Sequence, residues 1–360
     1  MQDGGIRRRQ FCRLAGAIAI ALLTTSPLLA APFQGGQIFV AYDANKIGVF
    51  ADTVSLAGTK VMDVSVSPSI FTTRTILTGG GGVALDEFGN LYVTVNDFER
   101  TGRRGVVKFN RDGSIAWKTD SGGTLDYRGL VASATLDRVF VATEGGTGQN
   151  GIHVYRASNG ERLSRSDFGG TLAFRDLAFD KDGNLYGLRQ AAGGQLVVRR
   201  WAAGNFTGTG TVVFVASTLS NSDPRALVVD EDGNIYIALN SPRVVIKVRP
   251  DPVGGTVETS DIGTVLATYS TPAGTGTLIG LDYDPGVQRL FASHTATGIG
   301  QILWIGRDAP SGSTMAAFGP NNLSGVRWLA VYPTPELETA GLMVAGLGWW
   351  VWRFRRRRFS

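Results

Sequence analysis

The feature that most constrains the fold is an internal repeat with three well-matched copies. Each copy reads apolar, two variable residues, Asp, two variable residues, Gly, Asn, apolar, Tyr, and the copies begin at Val83, Leu177 and Leu227. The Asp starts a tight turn and the Gly accepts positive φ, while the apolar residues on either side form strands. Two weaker copies follow the same plan: Leu130 to Phe140 with Asp137 at the turn, and Leu281 to Phe291 with Asp284 at the turn.

The spacing of the repeat sets the architecture. Successive copies begin 47, 47, 50 and 54 residues apart, which is the length of one four-stranded propeller blade. A sixth start at Val326–Tyr332 ends before a second strand, and Gln37–Tyr42 with Ile47–Phe50 match the second and third strands of the other blades. We therefore predict an all-β, six-bladed β-propeller over residues 32–332, in which the C-terminal strand completes the blade begun by the N-terminal strands.

The Asp-x-x-Gly-Asn-apolar-Tyr core resembles that of NHL and gluconolactonase-like propellers. The resemblance covers roughly residues 35–332, and its motif specifies the fold far better than the function. Propellers of this type include lactonases, lyases, binding proteins and surface proteins, so function has to be argued from a site.

The two ends of the chain have the pattern of export signals. Arg7, Arg8, Arg9 and Arg13 precede an apolar stretch from Leu14 to Leu29, and small residues follow. This pattern predicts a signal peptide over residues 1–31. The segment Arg8-Arg9-Gln10-Phe11-Cys12-Arg13 resembles the twin-arginine export motif, although an ordinary signal peptide also carries arginine pairs.

Residues 333–360 combine Pro335-Glu336, an apolar run from Ala340 to Trp352 and a cluster of arginines that includes Arg355, Arg356, Arg357 and Arg358. At about 1.5 Å per residue the apolar run makes a helix of roughly 20 Å, shorter than the ~30 Å hydrocarbon core. The arrangement resembles the PEP-CTERM sorting signal of Gram-negative bacteria, with Leu337 where the family has its second proline. The resemblance implies a transient inner-membrane intermediate, processing by an exosortase and delivery to the cell surface or matrix. An ordinary C-terminal anchor is the alternative, and in both cases the basic end stays in the cytoplasm.

The net positive charge of the chain comes largely from these two ends. Between them, 26 basic and 27 acidic residues remain, so the propeller is near neutral and we expect no nucleic-acid partner. The single cysteine, Cys12, lies in the leader. The predicted mature domain therefore has neither disulfides nor thiolate metal ligands.

Two rings of residues are expected on the face where the innermost strands begin and the second strands end. Two residues before the leading apolar position, four of the six blades carry arginine: Arg128, Arg175, Arg225 and Arg327. Together they predict a positive field that suits carboxylates or phosphates, and an anionic polysaccharide or a protein is the expected partner. The structural alternative is that each arginine pairs with an adjacent acid, for which Asp126, Asp176 and Asp223 are placed.

The second ring follows the second strands and is polar in every blade. It includes Asn96, Asn240, Glu144 and Asp43, with His294 next to its position in another blade. A lactonase-type site would hold a divalent cation such as Ca²⁺ with a Glu, an Asn and an Asp of this ring, among which Glu144 and Asp43 are the candidate metal ligands. The Asp-rich turns themselves lack the closing Glu of an EF-hand and are predicted to be plain β-turns.

No other catalytic pattern is present in the sequence. It has two histidines, His153 and His294, and it contains neither a Gly-x-Ser-x-Gly elbow nor a phosphate loop. Our interpretation is a non-catalytic, exported binding or structural module that needs no cofactor, with a metal-dependent hydrolase or lactonase as the alternative.

Overall fold

The computed structural model describes residues 33–42, 46–51, 59–65, 82–95, 104–120, 126–144, 150–163, 167–219, 222–256, 258, 260–272, 276–296, 299–323, 326 and 328–333. These residues form 23 β-strands and two short 3₁₀ turns, at 192–194 and 217–219. In chain order the strands are β1 Ile38–Tyr42, β2 Lys46–Ala51, β3 Thr59–Ser65, β4 Val83–Leu85, β5 Leu91–Val95, β6 Gly105–Phe109, β7 Ile115–Asp120, β8 Asp126–Ser133, β9 Arg138–Glu144, β10 Gly151–Tyr155, β11 Asp176–Phe179, β12 Leu185–Gln190, β13 Leu196–Trp201, β14 Thr211–Ala216, β15 Pro224–Val229, β16 Ile235–Asn240, β17 Arg243–Arg249, β18 Thr264–Ser270, β19 Gly276–Asp284, β20 Arg289–Ala296, β21 Ile299–Gly306, β22 Ala316–Leu323 and β23 Leu329–Val331.

The strands form six antiparallel sheets, which are the blades of a β-propeller. Blade 1 has the order β23-β1-β2-β3, and blades 2, 4, 5 and 6 are the four-stranded meanders β4–β7, β11–β14, β15–β18 and β19–β22. Blade 3 has three described strands, β8, β9 and β10, and β10 makes the isolated bridges Ile152–Phe168 and Tyr155–Arg162 with described residues that follow it. The predicted fold class is confirmed.

The closure of the ring also follows the prediction. β23 pairs antiparallel with β1, with Ile38 opposite Val331 and Val40 opposite Leu329. Ala41 N–H donates to the Trp328 carbonyl and Tyr332 N–H to the Gln37 carbonyl, which extends this pairing at both ends. Blade 1 is thus built from both termini of the propeller, and the pairing of β23 with β1 closes the ring.

The repeated motif is explained by one hydrogen-bonded cage at each turn. Asp180 accepts hydrogen bonds from the backbone N–H groups of Asp182 and Asn184, from the Asn184 amide and from the Tyr186 hydroxyl. Asp86 and Asp230 do the same in their copies. The Gly two residues before each tyrosine-bearing strand has φ near +80°, a conformation that glycine adopts without strain: Gly89, Gly183 and Gly233.

The weaker copies form the same kind of turn with different residues. Asp137 and Gln288 have φ of 51° and 52°, so in blades 3 and 6 a non-glycine residue takes the left-handed position. Asp137 in addition accepts from the Ser158 backbone N–H, and Asp284 accepts from the Gly286 N–H. The degenerate sequences therefore keep the strand–turn–strand geometry that their spacing predicts.

The blades pack on one another through buried apolar side chains. Between blades 3 and 4, Phe140 makes edge-to-face contacts with Phe168, Phe179 and Phe206 at 5.0–6.0 Å between ring centroids. Within the described residues, no helix has the length and apolar character needed to cross a membrane. The predicted signal peptide, and the sorting signal with Pro335, Glu336, Arg355, Arg356, Arg357 and Arg358, lie outside the described residues and stay predictions.

Candidate functional site: the arginine cluster

The funnel face, where the innermost strands begin and the second strands end, carries a continuous group of ion pairs. We call it the arginine cluster, and it contains Arg104, Asp126, Arg128, Glu144, Arg175, Asp223 and Arg225. It joins blades 2, 3, 4 and 5. Its four arginines face three carboxylates, so the cluster has a formal charge of +1.

Backbone hydrogen bonds between neighbouring blades position the arginines. The Arg128 carbonyl accepts from Gly82 N–H at 3.2 Å, and the Arg175 carbonyl accepts from Gly129 N–H at 3.0 Å. Gly82 and Gly129 permit this approach because a Cβ at either position would lie within 3 Å of the neighbouring blade. The backbone at Arg128 and at Arg175 is thus fixed to the preceding blade, and each of these two arginines is directed to a defined place.

Glu144 links two of the arginines that the sequence predicts. It ends β9 directly opposite Asp126 of β8, so two acids stand side by side on adjacent strands. Arg128 contacts Glu144 at 2.8 Å, and Arg175 contacts the other Glu144 oxygen at 3.1 Å. Because like charges opposite one another destabilise a strand pair, these arginines also hold the strand ends together.

Asp223 forms the second link. It contacts Arg175 and Arg225, each at 2.6 Å, and accepts a hydrogen bond from the Asn240 amide at 3.0 Å. Burial alone raises the pKa of Asp223, but the Asn240 hydrogen bond and the Arg225 and Arg175 charges outweigh burial and hold that pKa below its ordinary value. Asp223 therefore stays ionised at neutral pH.

Several donors of the cluster are not used by the described residues. The buried Nε–H groups of Arg128 and Arg175 have no acceptor among the described residues. The buried acceptor Asn240 Oδ1, beside the cluster, has no donor among them. Burial lowers the pKa of Arg128, which Glu144 and Asp126 oppose. Arg225 is the most exposed of the three described ring arginines, at 31% of its side chain.

The sequence interpretation of adjacent ion pairs is right for two acids and wrong for the third. Asp126 and Asp223 pair with arginines of the cluster. Asp176 instead is buried and accepts a hydrogen bond from the Leu227 backbone N–H in the next blade. Sequence adjacency to Arg175 does not pair them because consecutive strand residues point to opposite sides. Glu144, two strands away in sequence, takes its place.

His294 lies on the same face at the end of β20 and is 4% exposed. Neither ring nitrogen has a hydrogen-bond partner within the part of the chain that the structure describes. Burial and the Arg243 charge lower the pKa of His294, so its ring is neutral at pH 7. Gly276 makes room for the ring, because a Cβ there would lie 2.3 Å from His294 Nε2.

The metal site remains a prediction. Glu144 is described and faces two guanidinium groups, so a cation there would have to displace both. Asp43, Asn96 and Arg327 lie outside the described residues. Among the residues that the structure does describe, no group of three His, Cys, Asp or Glu side chains is placed to hold a metal ion.

No protein-family model matches the chain, and no curated protein matches its sequence. Solved structures match its fold. A protein of unknown function from Bacteroides caccae has a TM-score of 0.52 at 12% identity, covering 82% of this chain and 98% of that one. The nidogen/laminin complex gives 0.56 at 12%, with the same coverage. TolB from Acinetobacter baumannii gives 0.51 at 14%, covering 93% and 75%. At these identities the similarity shows the propeller fold alone.

Proposed function

We propose that this chain is an exported, surface- or matrix-associated binding module whose arginine cluster holds the carboxylate groups of an acidic polysaccharide. The observation that carries the proposal is a cluster of four arginines and three acids, in which the Nε–H groups of Arg128 and Arg175 have no acceptor among the described residues and Arg225 is partly exposed. Guanidinium groups bind carboxylates in a bidentate manner, and the rigid strand ends leave little side-chain freedom to lose on binding.

Export and sorting supply the setting for this function. The predicted signal peptide and PEP-CTERM-like segment would bring the propeller through an exosortase-processed membrane intermediate to the cell surface, where polysaccharides with acidic sugars are available as ligands. The β-propeller itself fits a binding or structural module. Repetition of a short sugar along a polymer also suits a cluster that spans four blades.

Calorimetric titration of the full chain with hexagalacturonate and with neutral maltohexaose tests the proposal. We expect hexagalacturonate alone to bind, and Arg225→Gln to weaken it about tenfold, since a charge-assisted hydrogen bond contributes about 1.5–3 kcal/mol. Arg156→Gln is the matched control, because Arg156 is a comparably exposed, ion-paired arginine outside the cluster. Equal binding of maltohexaose, or an Arg225→Gln variant that binds like the unmodified protein, would contradict it.

A further inference from the structure

An axial cavity of about 820 Å³ runs between the innermost strands and reaches the turns on the side away from the funnel face. Its wall includes Ala84, Val131, Ala178 and Val228, which occupy equivalent positions on four innermost strands. The three described ring arginines do not line it. The cavity is therefore separate from the arginine cluster, and its volume is in the range of small-molecule sites.

Two acids stand among these apolar wall residues. Asp176 on β11 accepts from Leu227 N–H at 2.9 Å, and Asp282 on β19 accepts from Val331 N–H at 2.6 Å. Both donors belong to the inner edge of the next innermost strand, which no further strand covers. The two carboxylates thus supply hydrogen-bond acceptors to backbone N–H groups on the free strand edges, and this places them at the cavity.

The charged and aromatic residues of the wall indicate which class of ligand the cavity suits. Besides Asp176 and Asp282, the wall has four acids at the turns, Asp86, Glu87, Asp180 and Asp182, and one base, Lys181. Its aromatic residues are Phe179, Tyr283, Trp328 and Tyr332. An apolar wall with aromatic faces and an excess of carboxylates suits a cation with a hydrocarbon body.

We propose that the axial cavity is a binding site for a small organic ammonium compound, with the charged head between Asp176 and Asp282 and the hydrocarbon chain against the aliphatic and aromatic wall. An organic cation fits better than a metal ion, because no group of three candidate metal ligands occurs among the described residues. Aromatic faces and long apolar walls serve an alkyl chain and contribute nothing to a hydrated metal ion.

The test uses three probes with the same six-carbon chain and different heads: hexylammonium, 1-hexanol and hexanoate. Calorimetric titration of the full chain should show hexylammonium bound at least about tenfold more tightly than hexanol, with no binding of hexanoate. Asp282→Asn should weaken hexylammonium about tenfold. Asp261→Asn, which changes an exposed acid bonded to Ser217 outside the cavity, should leave it unchanged.

A second variant keeps the test decisive if Asp282→Asn disturbs the fold. Asp176→Asn removes the other charge of the proposed head site, keeps an oxygen that can accept from Leu227 N–H, and should weaken hexylammonium about tenfold while circular dichroism stays unchanged. The proposal is overturned if hexylammonium does not bind, if hexanol binds equally well, or if Asp176→Asn binds hexylammonium like the unmodified protein. Hexagalacturonate binding requires the arginine cluster alone, so the two proposals fail independently.

Discussion

At the scale of single residues, the turn aspartate explains why the repeat is visible in the sequence at all. Its carboxylate accepts four hydrogen bonds at once, two from backbone N–H groups, one from the Asn side chain and one from the Tyr hydroxyl. No other side chain has the length and the two acceptor oxygens for this cage. The same contacts raise the pKa of the tyrosines, chiefly through burial and then through the Asp charge, to about 12 for Tyr186.

The cage gives a prediction for stability. Asp180→Ala leaves four donors without their acceptor and should lower the free energy of unfolding by about 2–3 kcal/mol, as measured by urea denaturation of the full chain. Asp182→Ala in the same turn is the matched control, since Asp182 is 67% exposed and pairs only with an exposed lysine among the described residues. Its expected cost is under about 0.5 kcal/mol. An equal loss of unfolding free energy in the two variants would show that the cage does not stabilise the turn.

Residues of the arginine cluster show how paired charges can serve the fold. Glu144 and Asp126 face each other across β8 and β9, and arginines from three blades neutralise them. Exposed ion pairs contribute little stability individually, but a network with fixed geometry contributes more. A ligand carboxylate would extend this network at Arg225, its most exposed end.

At the scale of elements, the innermost strands are distinctive because one edge of each faces the axial cavity. Asp176 and Asp282 cap two of these edges by accepting the Leu227 and Val331 N–H groups. Burial raises the pKa of both acids, that of Asp282 to about 7, and the Asp284 charge adds to the shift of Asp282. The strands gain their acceptors at the cost of placing carboxylates where ionisation is unfavourable.

This cost predicts a pH dependence. The folded state holds the Asp282 proton more tightly than the unfolded chain does, where the pKa of an aspartate is about 3.9. The contribution of Asp282 to stability should therefore fall as pH rises from about 4 to about 7 and then level off. Asp282→Asn should reduce the loss between pH 5 and pH 8 by roughly 2–3 kcal/mol. Urea denaturation of both proteins across this range measures it, and parallel pH profiles would show that Asp282 does not titrate near pH 7.

At the scale of the whole molecule, some features of the propeller were predictable from sequence and others were not. Blade length, blade number and closure by β23 follow from spacing, because each repeat is one blade that cannot bury its apolar faces alone. The shared position of Arg128, Arg175 and Arg225 follows from their register within the repeat. The sequence does not predict that Glu144 joins two of them, since that contact joins side chains of different blades.

The axial acids were missed for a different physical reason. An Asp next to an apolar strand residue looks like a polar outward position or an ion-pair partner of its neighbour, and Asp176 was interpreted in this way. Asp176 accepts a hydrogen bond from Leu227 N–H on the inner edge of the next blade's innermost strand. That contact forms only when the blades are arranged in the ring. The detectable signal was an acid at a position where the other repeats have small residues: Gly82, Gly129, Ala226 and Gly280.

The two regions along the axis of the propeller differ in the sign of their charge. The funnel face has more arginines than acids in its described cluster, and the axial cavity has more acids than bases in its lining. We propose that acidic saccharides bind at the funnel face. Hydrogen–deuterium exchange of the full chain with and without saturating hexagalacturonate tests this most directly, because it reports where the ligand protects the backbone.

We predict slower exchange at the segments that present the arginines, residues 126–130, 174–177 and 223–227, with maltohexaose producing no change. The turns at residues 86–90 and 180–184 should exchange equally with and without ligand, because they lie on the other side of the ring. Protection confined to those turns, or saturable binding without protection at the arginine segments, would contradict the account.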